Sequence, residues 1–183
     1  MVKILVPLGK GFEELEAISI IDVLRRAGCQ VIIASLKDNL EVLSQGGVKI
    51  IADVDISKVE ALKIDAVVFP GGWEGTENLI ECKELRELVL EMDSQRKIIA
   101  AICAAPYVLF KMGVLKNRNF TCYPSIEKMI DNPNYQDSKN VIHDENIITS
   151  KGPATALEFA YYLVKTLVSS QKEKEVKEGM LFI

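Results

Sequence analysis

Three short segments of this chain are apolar at nearly every position instead of every second one. They are residues 2–8 around Ile4-Leu5-Val6, residues 65–69 around Ala66-Val67-Val68-Phe69, and residues 97–102 around Ile98-Ile99-Ala100-Ala101-Ile102. A strand with one wet face alternates, whereas a strand apolar throughout is covered on both faces. Residues 13–27 separate the first of these from a β-rich run at 30–36. They carry Leu15, Ile18, Ile21 and Leu24 at helical spacing, acids in the first turn and Gly28 as a stop. Gly46-Gly47 splits residues 43–51 into a hairpin. Residues 76–92 read as one helix, and 104–112 as a short helix ended by Gly113. Residues 120–123 read as a strand piece, 126–130 as a short helix and 131–140 as a loop. Residues 141–143 and 147–150 form a second hairpin, 153–169 the last strong helix, and the charged tail from 171 is helical. This β-α-β alternation predicts an α/β fold of one domain, 1–183. It is a doubly wound sandwich whose mainly parallel sheet carries helices on both faces. Sites in such folds lie at the carboxyl ends of strands, here residues 9–16, 70–75 and 102–106.

Composition removes several function classes. Lys and Arg number 22 against 26 Asp and Glu, for a net charge of −4, and no basic cluster stands out. An electrostatic grip on nucleic acid is therefore not expected. No apolar run reaches the ~18–20 residues of a membrane span, and the opening residues read as a first strand, not as a signal peptide. The four cysteines show no CxxC spacing and the chain has one histidine, His143. Neither a disulfide framework nor a zinc site is expected, and the thiols are expected to be free in a reducing cytoplasm. No glycine-rich phosphate pattern opens the first helix, so no cofactor is expected.

The sharpest chemical feature is Ile102-Cys103-Ala104-Ala105-Pro106, where a strand runs into one cysteine and a helix begins at once. Pro106 suits a first helical turn. The arrangement is that of a nucleophile elbow, with Cys as nucleophile and Ala replacing the usual glycines. Unpaired N–H groups at a helix start would lower the thiol pKa; the bland alternative is a small buried core cysteine. Pro70-Gly71-Gly72-Trp73 would let backbone N–H groups approach a ligand as an oxyanion hole, or is a plain tight turn. Trp73 walls a pocket or caps the sheet. Among Glu13, Glu14 and Glu16, the first two fit helix-dipole complementarity. Glu16 falls on the turn that faces inward, where burial beside sulfur would raise its pKa toward a working range. His143, beside Asp144 and Glu145, reads as a solvated hairpin residue before it reads as a base for Cys103. Residues 149–153 border the same cleft. Cys82, on a helix of mixed polarity, is a candidate for exposure, and Cys122 borders the cleft with a possible resolving role.

Gly11-Phe12-Glu13-Glu14-Leu15-Glu16, Val23-Leu24-Arg25-Arg26-Ala27-Gly28, Val67-Val68-Phe69-Pro70-Gly71-Gly72, Ala100-Ala101-Ile102-Cys103-Ala104-Ala105-Pro106 and Thr149-Ser150-Lys151-Gly152-Pro153 span almost the whole chain. In this order and spacing they resemble the ThiJ/PfpI superfamily, on the DJ-one branch of the parkinsonism-associated deglycase and its bacterial relatives. The resemblance implies a flavodoxin-like sandwich and a homodimer with the first helix near the interface. It implies Cys103 as an oxidation-prone nucleophile and Glu16 as a protonated acid hydrogen-bonded to it. The N–H groups of Gly72 and Ala104 would bind an oxyanion. Gly71, Trp73, Tyr123, Ser150, Gly152 and Pro153 would line the substrate site, with Arg26 approaching the partner's site. Two departures stand out. Ala104 follows the nucleophile where protease-like members have histidine, and Tyr123 of Cys122-Tyr123-Pro124 takes the place of a histidine frequent in the deglycase branch. Peptidase activity is therefore not expected, and proton transfer rests on Glu16, since a phenol of pKa ~10 is mostly protonated at neutral pH.

Two function classes use these residues. In the first, Cys103 attacks a small α-oxoaldehyde such as methylglyoxal, or its early adduct on protein or nucleotide, and a hydroxy acid is released. In the second, Cys103 is an oxidative-stress sensor or the switch of a redox-regulated chaperone, with Glu16 arresting oxidation at the sulfinate.

Overall fold

The computed structural model describes residues 1–182. Seven strands form the main sheet in the order β5-β2-β1-β6-β7-β9-β8. They are β1 (Lys3–Leu8), β2 (Gln30–Ser35), β5 (Val54–Asp55), β6 (Ala66–Phe69), β7 (Ile98–Ile102), β8 (Val141–Asp144) and β9 (Ile147–Ser150). All neighbours run parallel except β8, which returns antiparallel on β9. A separate hairpin pairs β3 (Glu41–Leu43) with β4 (Lys49–Ile51). The flavodoxin-like doubly wound sheet expected from the sequence is the fold observed.

The apolar strands serve two cores at once. Ile4, Val6, Leu8, Ala66, Val68, Ala100 and Ile102 pack on one face, with α1 (Glu14–Arg26), α5 (Ala156–Leu167) and α6 (Ser170–Gly179). Leu5, Val67, Phe69, Ile99 and Ala101 pack on the other, with α2 (Trp73–Glu81), α3 (Lys83–Ser94) and α4 (Pro106–Met112). Period-two geometry thus survives inside runs with no polar partner.

Several elements depart from the sequence expectation. The single helix over 76–92 is two helices, starting at Trp73 and broken at Cys82, which is extended (φ −80°, ψ 108°). Leu79 and Leu85 lie six positions apart, out of phase with a 3.6 repeat, and the break brings Leu85, Leu88, Val89 and Met92 onto the sheet. Cys82 is accordingly buried, not exposed. The core stripe of α1 is Ala17, Ile20, Ile21 and Leu24, while Leu15 and Ile18 face out at 53% and 48% exposure. Residues 120–123 make only an isolated bridge, Phe120 to Tyr135. The helix at 153–169 starts with a 3-10 turn over Pro153–Thr155. Strand β5 and the 3-10 turns at Ile56–Lys58 and Ala61–Lys63 carry too few residues to leave a periodic signal.

Candidate active site

The tips of β6 and β7 meet the start of α1. Cys103 directly follows β7 and sits at φ 65°, a left-handed conformation that costs energy for a residue with a side chain. The consequence is visible in packing. Along β7, Ala101 and Ile102 face opposite layers, yet Cys103 joins the same layer as Ile102. The twist delivers the sulfur to α1, where Glu16 waits. Two backbone bonds hold the elbow: Cys103 N–H donates to the Ser150 carbonyl at 3.0 Å, and Tyr123 N–H donates to the Cys103 carbonyl at 2.8 Å.

Glu16 is fully buried. Its Oε2 accepts from Gly71 N–H at 2.7 Å, while Oε1 has no nitrogen or oxygen partner. Burial pushes its carboxyl from 4.5 up to about 7, against the opposing pull of the Gly71 N–H and the Cys103 thiol. Glu13 caps α1 by accepting from Glu16 N–H at 2.7 Å, and Glu14 accepts from Gly46 N–H at 3.2 Å. Glu13 therefore serves the helix start, as expected, whereas Glu14 ties the first turn of α1 to the β3–β4 turn.

Burial pushes the Cys103 thiol up, and the Glu16 charge pushes it further; the N–H groups of Ala104 and Gly72, both directed at the sulfur, pull it down. The sequence expectation of a lowered thiol pKa is corrected on this point. The donors are in place, but desolvation outweighs them while the sulfur faces a carboxylate. Once Glu16 carries its proton the repulsion is gone, and its O–H becomes a third donor to sulfur. Acid and thiol act on each other's charge and titrate as a coupled pair.

Space around the pair is closed on the inner side. A Cβ on Gly71 would stand 2.7 Å from Cys103 Cβ, 2.8 Å from Glu16 Oε2 and 3.1 Å from Cys103 Sγ. Gly71 is thus the spacer between acid and thiol, and its N–H is committed to Glu16. Gly72, at φ 92°, would meet the Gly11 carbonyl at 2.3 Å, so only glycine fits there. Cys103 itself is 9% exposed.

The remaining expected residues fall in different places. Tyr123 is 50% exposed and lies over Gly152, whose Cβ would sit 3.2 Å from the Tyr123 ring. The Ser150 hydroxyl is used internally, on the Asn140 carbonyl and Thr155 hydroxyl, both at 2.8 Å. Pro153 opens the following 3-10 turn. Arg26 pairs with Asp22 at 2.7 Å and lies roughly 15 Å farther along α1 than Glu16, away from this chain's own sulfur. His143 is on exposed β8, with ring nitrogens 3.2 Å from the Tyr162 hydroxyl and 2.8 Å from the Glu145 carbonyl. Its register places it two strands over and three residues back, roughly 14 Å from Cys103. Cys122 is buried in the layer of α3 and α4, opposite to that of Cys103. Burial, with the charge of Glu127, pushes its thiol up to about 12, and a resolving role finds no support. Among the described residues, no three His, Cys, Asp or Glu gather as a metal site, and no helix is long and apolar enough to cross a membrane.

Sequence reasoning missed one feature next to the Gly72 turn. Trp73 stacks on Tyr107 at 6.0 Å, and Tyr107 stacks on Phe110 at 6.2 Å. The i, i+3 spacing of Tyr107 and Phe110 on α4 was the available signal.

The DJ-1/PfpI family matches residues 2–166. The chain is 42% identical over 178 residues to Protein dj-1beta of Drosophila melanogaster, covering 97% of this chain and 95% of that one. The solved structure of Drosophila melanogaster DJ-1beta superposes with a TM-score of 0.96 at 40% identity, covering 100% of this chain and 98% of that one. Oxidized Toxoplasma gondii DJ-1 superposes with a TM-score of 0.95 at 37% identity, covering 100% and 99%. The glutathione-independent glyoxalase DJR-1.2 of Caenorhabditis elegans is 36% identical over 161 residues, covering 87% of this chain and 85% of that protein. By fold, by the order of its motifs and by these likenesses, the chain belongs to the DJ-1/PfpI family.

Proposed function

We propose that the protein converts α-oxoaldehydes such as methylglyoxal to 2-hydroxy acids, with Cys103 as nucleophile and no cofactor. The observation that carries this reading is the buried Glu16 carboxyl, raised to about 7, beside a sulfur that two backbone N–H groups face. An acid poised at neutral pH can both take and return a proton.

The chemistry balances without an outside oxidant. Sulfur bonds to the aldehyde carbon as its proton passes through the Glu16 carboxylate to the carbonyl oxygen, which takes the C=O electron pair and is held by the N–H groups of Gly72 and Ala104. Glu16 removes the proton from that carbon and returns it to the neighbouring one, while the hydroxyl proton passes from the first oxygen to the second. The first carbon is oxidised to a thioester and the second reduced to an alcohol. Water cleaves the thioester, releasing lactate and restoring the thiol. Removing free aldehyde also draws back early glycation adducts, because their formation is reversible, so deglycase-type protection follows from the same step. The name of the Caenorhabditis relative is in keeping with this reading. The exposed Leu15 and Ile18 on α1 fit a homodimer joined through that helix. The proposed setting is cytoplasmic, in defence against carbonyl and oxidative stress.

The test is lactate release from methylglyoxal by wild type and Cys103→Ser. The variant is expected to release none; wild-type turnover by it would falsify the mechanism. A second reading, an oxidation sensor, is favoured by the acid beside the sulfur of Cys103, a residue that retains 9% exposure. Mild peroxide followed by intact mass separates the two: two added oxygens on Cys103 in a protein that makes no lactate select the sensor.

A further inference from the structure

We propose that Trp73, Tyr107 and Phe110 form an aromatic platform that selects α-oxoaldehydes carrying a flat aryl group; this rests on the glyoxalase-type reading of Cys103. Three observations support it. First, the substituent of a bound aldehyde has no room on the inner side. The inner side of the sulfur is filled by Glu16 and by the Gly71 backbone, where a single added Cβ would stand 3.1 Å from Sγ. Second, the platform starts at the oxyanion donors themselves. Trp73 is the residue after Gly72, and Tyr107 lies in the first turn of α4, just beyond Ala104. Third, the rings form a continuous surface. Trp73 and Tyr107 are 19° from parallel, Tyr107 and Phe110 are 21° from parallel, and Lys111 Nζ stands 5.3 Å from the Tyr107 ring centroid. Trp73 remains 41% exposed at one end of this stack, with a large flat group available to a ligand.

A methyl substituent held on the sulfur is too short to cover an indole. A phenyl group attached to the same dicarbonyl projects outward and stacks on it. Phenylglyoxal would follow the same balanced course as methylglyoxal. The aldehyde carbon is oxidised, the ketone carbon is reduced, one water is consumed, and mandelate leaves. Ring-on-ring contact contributes beyond simple burial when the rings are offset and parallel, and a covalent bond at Cys103 fixes the position from which the aryl group reaches the stack.

The experiment compares kcat/KM for phenylglyoxal and methylglyoxal in wild type, Trp73→Leu and Tyr107→Leu. The phenylglyoxal-to-methylglyoxal ratio is expected to fall roughly 2- to 10-fold in each variant. Using the ratio cancels the different intrinsic reactivity of the two aldehydes. An unchanged ratio overturns the platform and leaves lactate formation, and so the underlying reaction, standing. If wild type makes no lactate, the underlying reaction fails separately, and the platform is decided by binding. Trp73 is the chain's one tryptophan, so its fluorescence reports on the stack. Mandelate is expected to saturate the signal at a concentration roughly 2- to 10-fold below lactate, and equal midpoints overturn the proposal.

Discussion

Replacing Glu16 by Gln is expected to stabilise the folded protein at neutral pH while damaging its chemistry. The folded chain holds a proton on Glu16 up to about pH 7, whereas the unfolded chain releases it near 4.5. Between these values the folded state binds one more proton than the unfolded state, so stability falls as pH rises through the window and levels off above it. The contribution is complete below pH 4.5 and lost by pH 7. At 1.36 kcal/mol per unit, the span amounts to about 3 kcal/mol, and full burial of the residue means that solvent screening does not reduce it. Gln has nearly the same shape, keeps an oxygen for the Gly71 N–H and has no charge to lose. The assay is urea unfolding of both proteins under reducing conditions, from pH 4.5 to 8. Other carboxylates titrate alike in both, so the difference curve isolates this one group. The variant should match wild type near pH 4.5 and exceed it by about 3 kcal/mol at pH 7.5, which is roughly 6–12 °C in Tm for a chain of this size. A difference that stays flat across the range refutes the claim that burial holds the proton on Glu16.

The same substitution removes the charge that pushes the Cys103 thiol up, so alkylation of Cys103 by iodoacetamide should titrate at lower pH in Glu16→Gln; coincident titrations would separate the two residues. Gly71→Ala places a methyl between acid and sulfur, 2.8 Å from Glu16 Oε2, and should cost about 1–3 kcal/mol of stability and at least tenfold in lactate formation. Gly152→Ala meets only the movable Tyr123 ring at 3.2 Å, and thermal melts of the two should differ accordingly. Ile18→Glu puts a charge on the exposed apolar face of α1, and sedimentation should show a wild-type dimer become a 20.3 kDa monomer; an unaltered dimer would move the interface elsewhere.

Much of the arrangement was legible in the chain because each clue had a local cause. The uniformly apolar strands required two cores, and the sheet supplies both. A cysteine between a strand and Pro106 implied a sharp turn, and the left-handed backbone at Cys103 is that turn. Glu16 read correctly as the inward acid of three, since only one position of the first turn of α1 faces the strand tips. What escaped was relational. Leu15 and Ile18 carry the helical period as well as the true core positions do, and one sequence cannot say which of two apolar stripes meets the sheet. The break at Cys82 lies in the phase between Leu79 and Leu85 and not in any breaker residue. The thiol pKa depends on how deeply the turn sinks, which no spacing encodes. Trp73 and Tyr107 are separated by two helices and a strand, so their stacking existed only after folding.

The placing of Cys103 and Cys122 on opposite layers has a consequence for the life of the molecule. A sulfur that takes up one oxygen can be rescued by a neighbouring thiol, but Cys122 faces the other core and offers Cys103 no bridge. Repair at that first stage would need a thiol from outside the chain. Past it, the damage is final for that copy, so activity under sustained peroxide would be maintained by fresh synthesis and not by any internal reset.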